Sequence, residues 1–207
     1  MVLQLEEVQS VSEASMASPV LDTVFSQESI STLLVKSTAL EELLNLAAKD
    51  CKFDDFMRDL LGLFIRAVRS EAGSVLEVNQ ADQSIFFRAV MGQSSDRVVD
   101  FIIPGGRGVA GHAVDSRTPV VVNNVPENRE HLKAIEAAVG FVTRNLVAIP
   151  ILIRGKVYGV IELLNRIDAQ DFTPADIEFL SYLAKMAAKC IEIRLMISWA
   201  KKQRENG

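Results

Sequence analysis

VGFVTRNLVAIPILI (139–153) and KVYGVIELLNR (156–166) are two apolar runs of strand length, rich in Val and Ile and joined through Arg154-Gly155-Lys156. β-Branched residues at this density read as strands, and a short glycine-containing break reads as a hairpin, so the two runs are expected to pair antiparallel. Side chains alternate between faces along a strand. That places Tyr158, Val160, Glu162 and Leu164 on one face and Val157, Gly159, Ile161 and Leu163 on the other. Both faces then look covered, and a carboxylate is out of place among them. Burying an unpaired carboxylate is costly, so Glu162 must hold a proton, meet a donor, or face a polar cavity. An internal Arg or backbone partner would satisfy it, and so would a ligand.

Upstream, GRGVAGHAV (106–114) reads as a glycine-rich entry into a short helix. Strand-like runs at 74–78 and 84–90 flank a polar turn at 79–83, and 98–103 and 118–123 supply two further short strands. With 146–153 and 157–164 the total is an antiparallel sheet of about six strands, a common size. Between the fourth and fifth strands, PENREHLKAIEAAVG opens with Pro126 and closes at Gly140, which predicts a helix over about 126–138. Its amino end is an anion site in principle, because free N–H groups and the helix dipole point there.

Residues 1–36 are expected to form a mobile or weakly helical extension. From Ser37 the spacing of Leu40, Leu43, Leu44, Ala47 and Ala48 predicts an amphipathic helix to about residue 49, with Ser37 or Thr38 as its N-cap. A second helix is expected over about 53–70. After Asp171 the sequence FTPADIEFLSYLAKMAAKCIEIRLMISWAKKQ predicts a long helix with Thr173 as N-cap, Pro174 in its first turn, and Asp176 and Glu178 beside them. Its apolar residues fill more than one stripe, so one stripe can cover the sheet and the rest needs a second partner. A homodimer built from these three helices, with Ile191 and Leu195 in the seam, follows. Residues 37–200 then form one domain, and 201–207 a basic tail carrying Lys201, Lys202 and Arg204.

Composition excludes several classes. The chain has 207 residues, 49% of them apolar, and a net charge of −5, which fits one globular core and argues against a general nucleic-acid binder. Neither a signal peptide nor a membrane span is recognisable, so a cytoplasmic protein without nucleic-acid or membrane partners is expected. Cys51 and Cys190 are far apart, and His112 and His131 lack companions at metal spacing, so neither a disulfide framework nor a metal site is expected. No Gly-x-Ser-x-Gly elbow occurs either, and no catalytic residues are assigned.

The succession GRGVAGH, VVVNNV, GFVTRN, GVIELLNR and FTPAD resembles the GAF domain, over roughly residues 71–200, and within it the GAF type of cyclic nucleotide phosphodiesterases and bacterial cyclases. The resemblance implies an α/β (α+β) GAF/PAS-like fold: a six-stranded antiparallel sheet with helices on both faces and long N- and C-terminal helices. It implies a sensory, non-enzymatic domain that binds cyclic AMP, cyclic GMP or a similar small molecule, has no covalent cofactor, pairs as a homodimer and acts on a downstream signalling protein. A dimerisation module without ligand is the alternative. The ligand would lie under the helix at 126–138, facing Ser74, Asn124, Val125, Phe141, Thr143 and Glu162. Nucleotide-binding members carry an Asn-Lys, Phe, Asp, Glu signature, answered here by Asn165, Arg166, Phe172 and Asp176, with Arg166 and Asp176 expected to form an ion pair. At the final acidic position stands Ile177, with Glu178 one residue later. Bilin-binding members and GAF-type sulfoxide reductases use pocket or loop cysteines, and here both cysteines are expected in helices elsewhere.

Overall fold

The computed structural model describes residues 27–92, 101–125, 142–167 and 171–205. The chain divides into two compact units, Met1–Leu34 and Val35–Gly207. Of the first, the described part is the opening of helix α1 (Gln27–Ala48), which continues into the second. This helix begins well before Ser37, so Ser37 and Thr38 lie inside it and cap nothing. The segment contains no Gly or Pro, and the Ser and Thr residues that suggested a boundary are tolerated within a helix.

The second unit is a sheet covered on two sides. Helix α2 (Phe53–Val68) follows α1, then strands β1 (Ser70–Val78), β2 (Ile85–Met91) and β3 (Ile102–Ile103), helix α3 (Gly108–Ser116), strands β4 (Val120–Val122), β5 (Leu146–Ile153) and β6 (Lys156–Arg166), and helix α4 (Pro174–Glu205). The six strands pair antiparallel in the order β3-β2-β1-β6-β5-β4. The helix expected at 126–138, like Phe141 and the first half (98–100) of the strand expected over 98–103, lies outside the described residues.

Two apolar clusters fix the layers. On one face, Phe56, Leu60 and Phe64 of α2 and Leu180, Leu183, Ala187 and Ile191 of α4 pack on Val75, Ile149, Ile161 and Leu163, with Ala39 and Leu43 of α1 beside them. On the other, Val109, Ala110, Ala113 and Val114 of α3 meet Leu76, Val78, Ile85, Ala148 and Val160. Each face of the central strands is therefore covered, as the apolar runs implied.

Strict alternation fails at one place. Ile151 pairs with Gly159 but Leu152 pairs with Val157, so Tyr158 is the extra residue of a bulge. Val157 consequently joins the α3 side with Val160 and Leu164, while Tyr158 joins the α2 side with Ile161 and Leu163, which corrects the face assignment made from periodicity. The hairpin before it turns on Arg154 (φ 49°) and Gly155 (φ 77°), both left-handed, the geometry that suits a tight β-hairpin.

The dimer seam read from the sequence also changes. The α2 stripe is consumed inside the unit, and Ile191 is a core residue with no exposed surface. Apolar surface remains on the distal part of α4, where Ile193, Met196 and Trp199 are more than half exposed (52%, 58% and 67%), and at Val35 and Leu44 of α1.

Candidate functional site

The glycines that opened the α3 region place a helix end against the sheet. Gly106 and Gly108 adopt positive φ (70° and 69°), and a Cβ on Gly111 would sit 2.6 Å from the backbone carbon of Gly106, so this turn closes only without side chains. The N-cap of helix α3 is Arg107, whose side chain makes no cap hydrogen bond. The Ala110 N–H, one of its orphan amino-terminal donors, instead donates to the Glu162 carboxylate. A strand residue thus caps a helix that packs across it.

Glu162 is partly buried as a residue, but its carboxyl group is desolvated, and this burial pushes its pKa up to about 7, opposed by the Ala110 N–H. Opposite it on β1 is Ser74, which is buried, and on β5 is Ala148. The carboxyl and hydroxyl therefore share the α3-facing side of the central strands. Of the two expectations for Glu162, the internal backbone donor is present.

Two asparagines hold the 142–145 loop against the end of β6. Asn165 holds a left-handed conformation (φ 55°), and its Oδ1 accepts from the N–H of Arg144 at 2.7 Å, while its Nδ2 donates to the carbonyl of Val142 at 2.8 Å and to Glu71 at 3.1 Å. Asn145 Oδ1 accepts from the Arg166 N–H at 3.1 Å. Arg144 donates to Glu71 at 2.7 Å, and this bond, more than the one from Asn165, holds the Glu71 carboxyl below its usual range. Thr143 is buried in this loop.

The end of β4 is joined to the same loop. Val125 donates its N–H to the Arg144 carbonyl at 3.0 Å, so that N–H is already used. Its side chain packs with the α3-side cluster, and Asn124 is exposed. Asn123 grips the backbone of buried Phe172, accepting its N–H at 2.8 Å and donating to its carbonyl at 3.1 Å. Sequence reasoning quoted Asn123 and Asn145 as motif letters and gave neither a role. Asparagine beside an αL or irregular backbone was the signal available.

The remainder of the motif anchors α4. Arg166 donates to Asp176 Oδ2 at 2.5 Å, and that oxygen also accepts from the Thr173 N–H and hydroxyl, both at 2.8 Å. Thr173 Oγ1 in turn accepts from the Asp176 N–H at 3.2 Å, which closes a reciprocal cap at the helix start. Asn165, Arg166, Phe172 and Asp176 thus tie β6, β4 and α4 together.

Cys190 is buried on α4, and Cys51 lies in the break between α1 and α2, not inside a helix. Among the described residues there is no group of three or more metal-binding side chains, and no helix is long and apolar enough to cross a membrane.

Comparison with known proteins agrees with the architecture. The GAF domain family profile matches residues 52–192. The mouse cone cGMP-specific 3',5'-cyclic phosphodiesterase subunit alpha' is 27% identical over 186 residues, 89% of this chain and 20% of that protein, so the chain spans about a fifth of the relative's length. The fold is shared with the GAF domain of a Coxiella burnetii phosphoenolpyruvate-protein phosphotransferase (16% identity, TM-score 0.66, 84% of this chain and 98% of that one). It is also shared with a free methionine-R-sulfoxide reductase from Neisseria meningitidis (21%, TM-score 0.62, 78% and 93%). The chain belongs to the GAF domain family, a small-molecule sensory and regulatory fold.

Proposed function

We propose that this GAF domain binds a cyclic nucleotide, cyclic AMP or cyclic GMP, on the α3 side of its sheet and signals by altering helix packing in a homodimer. The observation that carries the reading is the Glu162 carboxyl, desolvated on the sheet and directly opposite the Ser74 hydroxyl. Glu162 would accept from a ribose hydroxyl or purine N–H, and Ser74 and Thr143 would bond base or phosphate oxygens. Asn124 and Phe141 would border the ligand. Backbone N–H groups near Val125 would receive the phosphate charge, although the N–H of Val125 itself is engaged by the Arg144 carbonyl. Similarity to a phosphodiesterase named for cyclic GMP supports the ligand class. The exposed faces of α1 and distal α4 would form the dimer, and the protein would act in the cytoplasm on a downstream signalling protein.

Titration calorimetry with cyclic AMP, cyclic GMP and cyclic dinucleotides tests this. Losing one buried polar contact costs about 1–3 kcal/mol, so Thr143→Ala or Glu162→Gln should weaken binding roughly 5- to 150-fold. Unchanged affinity in both variants would refute the placement.

A second reading is favoured by the satisfaction of Glu162 and Val125 within the protein itself. It is a dimerisation module that works without ligand. No purine in the ultraviolet spectrum or mass of the denatured protein, no calorimetric signal and a stable dimer by light scattering would select it.

A further inference from the structure

We propose that the groove between β5 and α4 is a docking site for a short peptide segment of another protein in which acidic residues alternate with apolar ones. The sheet ladder opens it. β4 pairs with β5 only from Leu146 to Ala148, so beyond Ala148 no described strand covers the outer edge of β5, and α4 runs alongside. The groove encloses about 480 Å³, with Ile149, Ile153 and Ala188 among its apolar lining and Arg117, Arg154, Lys185 and Lys189 around it. It is separate from the cyclic-nucleotide reading, because Ile149 and Ala188 belong to the α2/α4 side of the sheet and Glu162 meets α3.

Charge selects the occupant. Among the described residues, Glu192 is the single carboxylate of the lining, and it is held by Arg154 at 2.5 Å. Arg117, Lys185 and Lys189 meet no carboxylate among the described residues. On a chain of net charge −5 this is a local reversal of sign, and it draws anionic groups. The apolar lining gives a bare polyanion nothing to bury, whereas a peptide can place carboxylates on the rim and aliphatic side chains below.

Length agrees with an extended segment. Ile149 to Ile153 spans roughly 13 Å at about 3.3 Å per residue. Ser181 to Glu192 on α4 spans roughly 16 Å at about 1.5 Å per residue. About four or five extended residues fit, and alternate side chains of such a segment face the same way. Pro150 lacks an N–H and prevents the edge from extending a long ladder, so recognition rests on charge and apolar contact.

The test is amide chemical-shift mapping of the full chain titrated to about 1 mM with an alternating Glu-Leu pentapeptide, a range that detects even millimolar affinity. The amides of Ile149, of 151–153 and of 185–189 should shift, and the matching Lys-Leu peptide should shift none of them. Lys185→Glu with Lys189→Glu should weaken binding about 10-fold or more, as should about 0.5 M salt, whereas Arg58→Glu on α2 should leave it unchanged. Absence of shifts, or shifts indifferent to the two lysines, overturns the proposal. So does a response of the same amides to tripolyphosphate or a thymidine oligonucleotide but not to the peptide.

Discussion

The Tyr158 hydroxyl donates to Glu77 Oε2 at 2.9 Å, and it reaches that carboxylate because Tyr158 is the extra residue of the β6 bulge. Arg88, the extra residue of a bulge in β2, donates to the same oxygen at 2.8 Å and extends to Asp54 at the start of α2. Two bulges on the strands flanking β1 therefore converge on one acidic side chain, and the cluster ties α2 to the sheet. Tyr158→Phe removes a donor to an ionised acceptor and should destabilise the fold by about 1–3 kcal/mol in urea unfolding. Burial first, and Glu77 second, hold the Tyr158 hydroxyl far above the usual tyrosine range. In a Tyr182→Phe variant, which leaves Tyr158 as the sole tyrosine, no tyrosinate absorbance should develop near pH 10 while the protein stays folded. An unfolded tyrosine ionises near pH 10, so this contribution to stability is complete below that pH and declines above it.

Glu162 gives a pH dependence of its own. Burial raises its carboxyl to about 7, above the unfolded value near 4.3. Between these values the folded state binds the extra proton, so this group makes stability fall as pH rises from about 4.3 to about 7, with the full loss present above. The whole effect is bounded at about 4 kcal/mol, from roughly 1.4 kcal/mol per pH unit. Glu162→Gln keeps an acceptor for the Ala110 N–H and carries no charge. It should raise the melting temperature at pH 8 and leave it nearly unchanged at pH 4, in the absence of ligand. An equal effect at both pH values would mean that the carboxyl is not desolvated.

How much of this could be read beforehand depends on the range of the interaction. The β5–β6 hairpin, the six-stranded sheet and the α4 start at Thr173 and Pro174 are local signals, carried by a turn, by alternation and by a cap. The early start of α1 was obscured because Ser and Thr have near-neutral helix propensities and serve equally well as caps. The bulge at Tyr158 has no local signature, since it is a single-residue shift against β5, next to Gly159, where a Cβ would lie 2.2 Å from the Leu76 carbonyl oxygen of β1. The site was half legible. Glu162 stood out as a carboxylate in an apolar strand, but its partner is a backbone N–H in α3, which no side-chain pattern announces. Asn145 and Glu71 act from loops and strand ends distant in sequence from Asn165.

Arg166 and Asp176 should couple more strongly than a surface pair. Their side chains retain only 14% and 19% exposure, so the solvent screening that limits surface pairs to about 1 kcal/mol is reduced. A double-mutant cycle with Arg166→Ala and Asp176→Ala is expected to give about 1–3 kcal/mol of coupling. Thr173→Ala, which removes the reciprocal cap and keeps the ion pair, should cost about 1 kcal/mol by itself. Coupling indistinguishable from zero would reduce the motif to its helix cap.

Arg194 is the buried cation of α4, and its partners are unusual. The guanidinium donates to the Lys49 carbonyl at 2.6 Å, to the Cys51 carbonyl at 2.8 Å and to Cys51 Sγ at 2.8 Å, and it stacks 5.2 Å from the centre of the Phe56 ring. The break between α1 and α2 exposes carbonyls that no helix satisfies, and a rigid planar fork can reach several at once. A lysine ammonium is a compact point charge and cannot repeat that geometry. Arg194→Lys should therefore destabilise the protein by about 1–3 kcal/mol. Hydrogen exchange should quicken at residues 49–53 and in distal α4 before it quickens in the sheet, because this contact joins the two helical segments outside the main ladder. Protection unchanged in both segments, with stability unchanged, would show that packing of Phe56 and Ile191 alone holds α4 against the linker.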